Sequence, residues 1–278
     1  MNAIEIHNLQ KSFSDFSLKN ISFSLPQGTV MGFVGENGAG KSTTIKCLLN
    51  LLKKEHGEIS IFGKDAVEHE ITIKTDIGVV FDDLHVPEML NATQLDKFMK
   101  KVFKTWDSDY YFERLAQFKV PEKKRVKELS RGMRMKLSIA LALSHHPKLL
   151  ILDEPTSGLD PIIRDEILDL FLEFMQDETH SILFSSHIMS DLEKIADYIT
   201  FIHDGEIIFS ESKDALLYEY GIFKGSNEEV KELPEHAIIG KRNRPFGIEV
   251  LVRNNEVNKA FKLHKPTIEE VMLFFCER

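Results

Sequence analysis

Hydrophobic positions along the chain follow two patterns that predict strands. In the N-terminal part, apolar residues alternate with polar ones, which is the spacing of half-buried strands. Short continuous apolar runs occur further on, and these are typical of parallel strands covered on both faces. An Asp-Gly pair between two apolar stretches predicts a hairpin turn at residues 204–205. The predicted strands cover residues 4–6, 21–25, 29–34, 57–62, 77–81, 149–152, 181–185, 198–202 and 206–209.

Helical spacing replaces this pattern between about residues 84 and 146. Apolar residues in this stretch recur three or four positions apart, as on one face of a helix. One such face carries Leu95, Phe98 and Met99, and another carries Tyr111 and Leu115. Because predicted strands precede and follow the stretch, it is interpreted as an inserted all-helical subdomain.

The pattern is weaker beyond Ser210. Residues 225–236 are polar and acidic, which favours a linker, whereas residues 248–252 resemble a strand. A last helix is predicted to open at Thr267, directly after Pro266, and either to pack on the core or to assist dimerisation. Residues 211–278 are therefore predicted to form a small C-terminal α+β region.

Composition narrows the class of protein. Of 278 residues, 42% are hydrophobic and 28% charged, so the chain can bury a sizeable core. Its 35 basic and 44 acidic residues give a net charge of −9, which disfavours nucleic acid as a partner. No apolar run reaches the ~18 residues that a membrane-spanning helix needs, and no signal peptide is visible. The two cysteines, Cys47 and Cys276, form no CxxC pair, which indicates a reducing compartment and no structural zinc signature.

The first motif with chemical content is Gly35-Glu-Asn-Gly-Ala-Gly-Lys-Ser42, which fits the phosphate loop GxxxxGK[ST] at every fixed position. Glycines let backbone N–H groups turn onto phosphate oxygens, and the following helix adds the positive end of its dipole. Lys41 would reach the β- and γ-phosphates, and Ser42 would ligate Mg²⁺. A chance glycine-rich turn is the alternative, but this loop follows a predicted strand and opens a predicted helix, as the motif requires.

The second motif is an apolar strand, residues 149–152, that ends in Asp153 and Glu154. At the carboxyl end of a parallel strand, such carboxylates face the ligand crevice. Asp153 can hold Mg²⁺, and Glu154 can then polarise an attacking water. Taken alone, the pair would be interpreted as a solvated acidic turn after a core strand. The presence of a phosphate loop in the same chain favours the magnesium and general-base roles instead.

Together with two further motifs, these residues resemble the ATP-binding subunits of ABC transporters over about residues 1–210. The further motifs are residues 129–133, similar to the signature LSGGQ, and Ser157-Gly-Leu-Asp160 followed by His187. The resemblance implies an α/β fold with a P-loop NTPase core and a mixed parallel sheet. It also implies N-terminal antiparallel strands, the helical subdomain at about 84–146, and a small C-terminal α+β tail.

The resemblance implies ATP and Mg²⁺ as cofactors and a role for each matching residue. Lys41, Glu154 and His187 would be catalytic, with Glu154 as the general base and His187 at the γ-phosphate. Ser42, Asp153 and Asp82 would be the metal ligands. Nucleotide binding would fall to Phe13, Gly35, Asn37, Gly38, Ala39, Gly40, Lys41, Ser42, Thr43, Ser130, Gly132 and Asp160.

Some of these assignments have alternatives. Phe13 would stack on adenine, but it could equally be a core residue, with Phe16 as the substitute. Asp82 stands where the family has glutamine, and an ionised carboxylate cannot donate a hydrogen bond. The signature departs from the family at Arg131 and Met133, and Arg131 could add positive charge near the triphosphate or be solvated.

The functional expectation is an ATPase subunit that energises a membrane exporter, of the bacitracin-resistance or peptide-export branch. Its partners would be a separate transmembrane permease and a second ATP-binding subunit, identical or paralogous, in a head-to-tail sandwich. It would be cytoplasmic and peripheral on the inner face of the membrane. A soluble ABC-type ATPase in translation or DNA repair, or an importer subunit, is the alternative. A single phosphate loop, with all motifs between residues 35 and 187, favours the transporter.

Overall fold

The computed structural model describes residues 1–245, 247–258 and 260–276, and each predicted strand is present. The strands are β1 (Asn2–Ser12), β2 (Ser17–Pro26), β3 (Val30–Val34), β4 (His56–Ile61), β5 (Lys64–Asp65), β6 (Ile77–Val80), β7 (Leu149–Asp153), β8 (Ser181–Ser186), β9 (Tyr198–His203), β10 (Glu206–Ser212), β11 (Tyr220–Gly225), β12 (Ile238–Arg244), β13 (Gly247–Arg253) and β14 (Leu263–His264). The helices are α1 (Lys41–Leu48), α2 (Glu70–Thr75), α3 (Ala92–Val102), α4 (Ser108–Gln117), α5 (Arg131–Leu143), α6 (Pro161–Phe174), α7 (Met189–Ile195), α8 (Lys213–Glu219), α9 (Asn227–Val230) and α10 (Ile268–Cys276). None of these described helices has the length and apolar composition that crossing a membrane requires.

A six-stranded sheet in the order β10-β9-β3-β8-β7-β6 positions the motifs. Strands β9, β3, β8, β7 and β6 run parallel, and β10 pairs antiparallel with β9. Along β3, Val30 and Val34 enter one buried cluster, while Met31 and Phe33 enter the cluster on the other face. Burial on both faces explains the continuous apolar run. The carboxyl ends of the parallel strands meet at one edge, where Asp153 ends β7 and the phosphate loop, Glu154 and His187 each follow a strand.

The N-terminal strands form a second sheet, which is antiparallel as predicted. Its order is β2-β1-β4-β5. Ile4 and Leu25 from this sheet share a buried cluster with Ile45 of α1 and Ile151 of β7. The sheet therefore covers the face of the central sheet against which α1 packs.

The helical insertion is present between β6 and β7. Helices α3, α4 and α5 surround their own buried cluster, which includes Leu95, Tyr111, Leu115 and Leu137. Phe98, predicted on the buried face of α3, is instead 58% exposed. The buried stripe of α3 runs through positions 92, 95, 96 and 99, so residue 98 lies at its solvent side.

The C-terminal region forms a third sheet, β12-β13-β11-β14, which is antiparallel. Residues 225–236 are not the predicted linker, because Val230 and Leu233 are buried in the core of this region. In the sequence, these two apolar residues stand among glutamates, so the segment looks solvated. Helix α10 packs on the core, where the ring of Phe275 lies 5.3 Å from that of Phe209 on β10.

Candidate active site

The phosphate loop joins the carboxyl end of β3 to α1, and its glycines are required by the backbone. Gly38 and Gly40 have φ values of 87° and 115°, a region that L side chains rarely adopt. A Cβ at Gly35 would lie 2.3 Å from the carbonyl oxygen of Ile202. Among the described residues no side chain caps α1, so its first N–H groups are available to an anion.

The β9–β10 hairpin braces the phosphate loop. The N–H of Gly205 donates to the carbonyl of Ala39 at 3.1 Å, and the N–H of Lys19 donates to the carbonyl of Gly205 at 2.7 Å. Asp204 and Gly205 both have positive φ, 45° and 74°, as the two-residue turn of a hairpin requires. The loop is thereby fixed to β2 and to the hairpin.

Three residues predicted to be catalytic meet beside this loop. Lys41 Nζ donates to the carbonyl of Gly35 at 2.7 Å and lies 3.4 Å from Glu154 Oε1. His187 Nδ1 lies 2.7 Å from Glu154 Oε2. The side chains of Lys41 and Glu154 are 6% and 14% exposed, whereas that of His187 is 44% exposed. The ion pair is thus shielded, and the histidine faces the opening of the site.

Glu154 itself is held in a strained conformation. Its φ of 54° is unusual for a residue other than glycine and costs on the order of 1–3 kcal/mol. Its Oε1 is buried and accepts no hydrogen bond from the part of the chain that the structure describes. Oε1 of Glu154 thus lies beside Lys41 without accepting a hydrogen bond from the described residues, and an oxygen of this kind can accept a proton as a general base does.

Asp153 offers a carboxylate for a divalent cation. It is 5% exposed, and its Oδ1 accepts a hydrogen bond from Ser185 Oγ at 3.0 Å. Ser42, half-buried, lies in the first turn of α1, which packs beside β7. Carboxylate and hydroxyl oxygens are ligands that Mg²⁺ accepts, so Asp153 and Ser42 each offer an oxygen of the right kind on neighbouring elements.

Ser130 and Asp160 both cap helices. The hydroxyl of Ser130 accepts a hydrogen bond from the N–H of Met133 at 3.2 Å, so Ser130 is the N-cap of α5, which begins at residue 131. Asp160 Oδ1 accepts from the N–H groups of Ile162 and Ile163, both at 3.1 Å, at the start of α6. Each motif loop thus ends at an ordered helix N-terminus.

The signature loop also packs against the segment before α6. A Cβ at Gly132 would lie 2.8 Å from Ile163 Cδ1, so the glycine lets α5 approach α6 closely. A Cβ at Gly158 would lie 2.4 Å from the guanidinium of Arg131. Arg131 is exposed and lies against Gly158 of its own chain, which joins the signature to the Ser157–Asp160 segment.

Phe13 and Asp82 lie at the margins of this arrangement. Phe13 is 48% exposed, with its ring 6.5 Å from that of Phe16. A Cβ at Gly40 would lie 2.9 Å from Phe16 Cζ, so the pair borders the phosphate loop. Asp82 is exposed two residues after Val80 ends β6, and within the described ranges no contact joins it to the other predicted metal ligands.

Comparison with protein families assigns the chain to a family. The family model described as "ABC transporter" matches residues 18–157, just over half of the chain. The chain belongs to the ABC transporter family. As a member it binds nucleotide and is an ATPase.

Two curated relatives of this ABC subunit have names that specify a cargo. The lantibiotic transport ATP-binding protein SrtF of Streptococcus pyogenes is 33% identical over 87% of the chain and 100% of its own length. The bacitracin transport ATP-binding protein BcrA of Bacillus licheniformis is 35% identical over 74% of the chain and 68% of its own length.

Solved structures agree with the fold of the ABC subunit. An ATP-binding subunit of an ABC transporter superposes with a TM-score of 0.70 at 25% identity, over 77% of this chain and 91% of the other. A dimeric ATP-binding cassette bound to ADP and phosphate in a post-hydrolysis state gives 0.67 at 21% identity, over 75% and 98%. The predicted fold class is thereby confirmed.

One buried carboxylate of the ABC subunit had no role in the sequence-based interpretation. Asp191 on α7 is 2% exposed, accepts a hydrogen bond from Thr156 Oγ1 at 2.7 Å and lies 3.7 Å from Arg164 Nη1. Thr156 belongs to the segment between Glu154 and Asp160, so its hydrogen bond to Asp191 fixes that segment to α7. In the sequence, Asp191 resembles any charged residue in the first turn of a helix.

Proposed function

We propose that this ABC subunit binds Mg·ATP at its phosphate loop and energises a separate membrane protein that exports peptides or drugs. The contact of Lys41, Glu154 and His187 beside the phosphate loop is the observation that carries the proposal. The relatives named for lantibiotic and bacitracin transport support peptides or drugs as the cargo class.

In the proposed reaction, Lys41 exchanges partners when ATP binds. Its ammonium faces Glu154 at 3.4 Å, and the β- and γ-phosphates would take over this charge. Glu154 would then be free to accept a proton from the attacking water, while His187 holds the carboxylate and water in place. A magnesium ion held by Ser42 and Asp153 would supply charge neutralisation at the phosphates. Phe13 would stack on adenine.

The rest of the proposed site comes from a second ATP-binding subunit arranged head to tail. Ser130 and Gly132 at the start of α5 would approach the γ-phosphate bound to the partner's phosphate loop, and Asp160 would contribute contacts across the interface. The exposed N-terminus of α5, with Arg131 beside it, supplies N–H groups and positive charge for an anion.

The membrane protein would dock on an apolar groove between the central sheet and the helical insertion. The groove has a volume of about 340 Å³, and its lining includes Leu51, Val79, Phe81, Val86 and Met99. Leu51 is 60% exposed, so the groove presents apolar surface to the solvent that a partner would cover. Burial lowers the pKa of His145 in the groove wall, so this side chain adds no charge to the groove near neutral pH. An apolar helix of the permease would fit such a surface.

Co-purification from detergent-solubilised membranes tests the partner. We expect recovery of a polytopic membrane protein whose presence stimulates ATP hydrolysis. Val86→Glu should release this protein, because it places a charge in the apolar groove. Val67→Glu, at a valine that is 51% exposed outside the groove, is the matched control and should retain it. Recovery of ribosomes or DNA ends instead would contradict the exporter.

A further inference from the structure

Three metal-ligating side chains from distant parts of the sequence meet at the rim of the phosphate loop. Glu36 lies in the loop itself, His203 ends β9, and Cys276 ends α10. A carboxylate oxygen, a ring nitrogen and the thiol sulfur of these residues all lie within 4.8 Å of one another. None of the three residues has a part in the proposed hydrolysis of ATP.

The donor set and its spacing suit zinc. Zn²⁺ binds carboxylate oxygen, imidazole nitrogen and thiolate sulfur at about 2.0–2.3 Å, so tetrahedral ligand atoms lie about 3.3–3.8 Å apart. Atoms at the 4.8 Å limit would need to close by about 1–1.5 Å, and Glu36 is an exposed side chain in a short loop that can make this movement. Three protein ligands would leave the fourth position to water.

The hydrogen bonding of the His203 ring supports a ligand role. His203 Nδ1 is buried and has no hydrogen-bond partner among residues 1–245, 247–258 and 260–276. Nε2 lies 3.8 Å from Asp204 Oδ2, which is too long for a hydrogen bond. A buried polar atom without a partner is uncommon in folded proteins, and a bound cation would satisfy it.

Charge also favours a divalent cation. Zinc displaces the proton of the cysteine, so Cys–SH and Zn²⁺ give a zinc–thiolate bond and one proton released to solvent. The thiolate and the Glu36 carboxylate carry two negative charges together, and Zn²⁺ neutralises them.

We propose that Glu36, His203 and Cys276 form a binding site for one zinc-class divalent cation. The ion would fasten the end of α10 to the phosphate loop and to the β9–β10 hairpin that braces this loop. The C-terminal region would thereby act on the nucleotide site. The site needs no nucleotide, so its test is independent of the proposed function.

Zinc titration of the full-length protein without nucleotide tests the proposal. Competition against a chromophoric chelator should give one tight site per chain. Cys276→Ser and His203→Gln should each weaken it at least about tenfold, because even outer-shell changes at zinc sites cost about 10- to 100-fold. His264→Ala, at an exposed histidine elsewhere, and Cys47→Ala, at the buried second cysteine, are the matched controls and should leave it unchanged. Unchanged affinity in both ligand variants would overturn the proposal.

A second measurement uses the unaltered protein, so it does not depend on the folding of any variant. Zinc should slow alkylation of Cys276 by iodoacetamide, read by mass spectrometry of the C-terminal peptide, while Mg²⁺ at the same concentration should not. Reaction of Cys47 in the unfolded protein is the internal reference for alkylation. Equal rates for Cys276 with and without zinc would also overturn the site.

Discussion

Helices α1 and α5 both begin at a motif loop, but their N-termini are occupied differently. At α1 the N-cap is Gly40 in a left-handed conformation, and no described side chain caps the helix. Lys41, Glu154 and His187 gather around this end. At α5 the hydroxyl of Ser130 is already bonded to a backbone N–H of the first turn. The neighbouring charges are the exposed Arg131 and the half-buried Arg134, and Arg134 is paired with Asp83.

Under the proposed function, this difference gives the two helix ends separate tasks. A helix N-terminus binds an anion through free N–H groups and its dipole. The end of α1 adds a buried lysine and a carboxylate that can act as a base, so it can hold and hydrolyse a nucleotide. The end of α5 has only the dipole, the remaining N–H groups and positive charge. The contrast supports the proposal that α5 completes a site held by another subunit.

Removing the proposed general base, Glu154, is expected to have the largest effect on the difference between the two helix ends. Glu154→Gln should lower the rate of ATP hydrolysis by about 10²–10⁴-fold, because an amide cannot accept the proton of the attacking water. The change should not weaken ATP binding, because Lys41 also loses the carboxylate that competes with phosphate. Steady-state hydrolysis and nucleotide titration measure the two effects separately.

Glu166→Gln is the control for this substitution. Glu166 is an exposed glutamate paired with Lys136 on the neighbouring helix, and its loss should leave both measurements unchanged. Wild-type turnover of Glu154→Gln would remove the catalytic distinction between the two helix ends.

Removing the phosphate-binding charge is expected to have the next largest effect. Lys41→Ala should weaken ATP binding by about 1.5–3 kcal/mol, roughly 10- to 100-fold, because it removes charge-assisted hydrogen bonds to phosphate. Fluorescent nucleotide titration measures this change. Lys46→Ala, at an exposed lysine on the same helix, should bind normally. If both variants bound ATP equally well, α1 would hold nucleotide through its backbone alone.

The region around α1 could be predicted because its determinants are local. A phosphate loop needs glycines at positions of positive φ, and these occur at fixed spacing between a strand and a helix. The apolar run of β7 ends in Asp153 and Glu154, so the strand itself places both carboxylates at the sheet edge. The meeting of Lys41, Glu154 and His187 then follows from the parallel order of β3, β8 and β7.

Features that depend on distant partners could not be predicted. Asp191 holds the segment after Glu154 only because the fold brings Thr156 and Arg164 into contact with it. Residues 225–236 look solvated because two buried apolar residues stand among glutamates. Glu36, His203 and Cys276 have no shared spacing, and only the packing of α10 on the core brings them together. The division into two domains at residue 210 stays a prediction. Phe209 and Phe275 pack on each other across that boundary.

The smallest expected effect separates the two roles of Ser130, as a helix cap and as a group near phosphate. Ser130→Ala should lower the free energy of unfolding by about 1 kcal/mol, because the N–H of Met133 loses its acceptor. Ser130→Asp should keep this stability, because aspartate is an equally good N-cap. Denaturant unfolding measures both variants.

Hydrolysis by the assembled pair of subunits decides which role matters. Ser130→Asp should reduce hydrolysis without weakening ATP binding to the isolated chain, because its carboxylate would repel a phosphate held by the partner while the phosphate loop of its own chain is intact. Ser212→Ala is the matched control, since that hydroxyl caps α8 at the same 3.2 Å distance and should affect stability alone. If Ser130→Asp hydrolysed ATP at the wild-type rate, α5 would begin with a cap and nothing more. The N-termini of α5 and α1 would then share their backbone geometry but not the binding of phosphate.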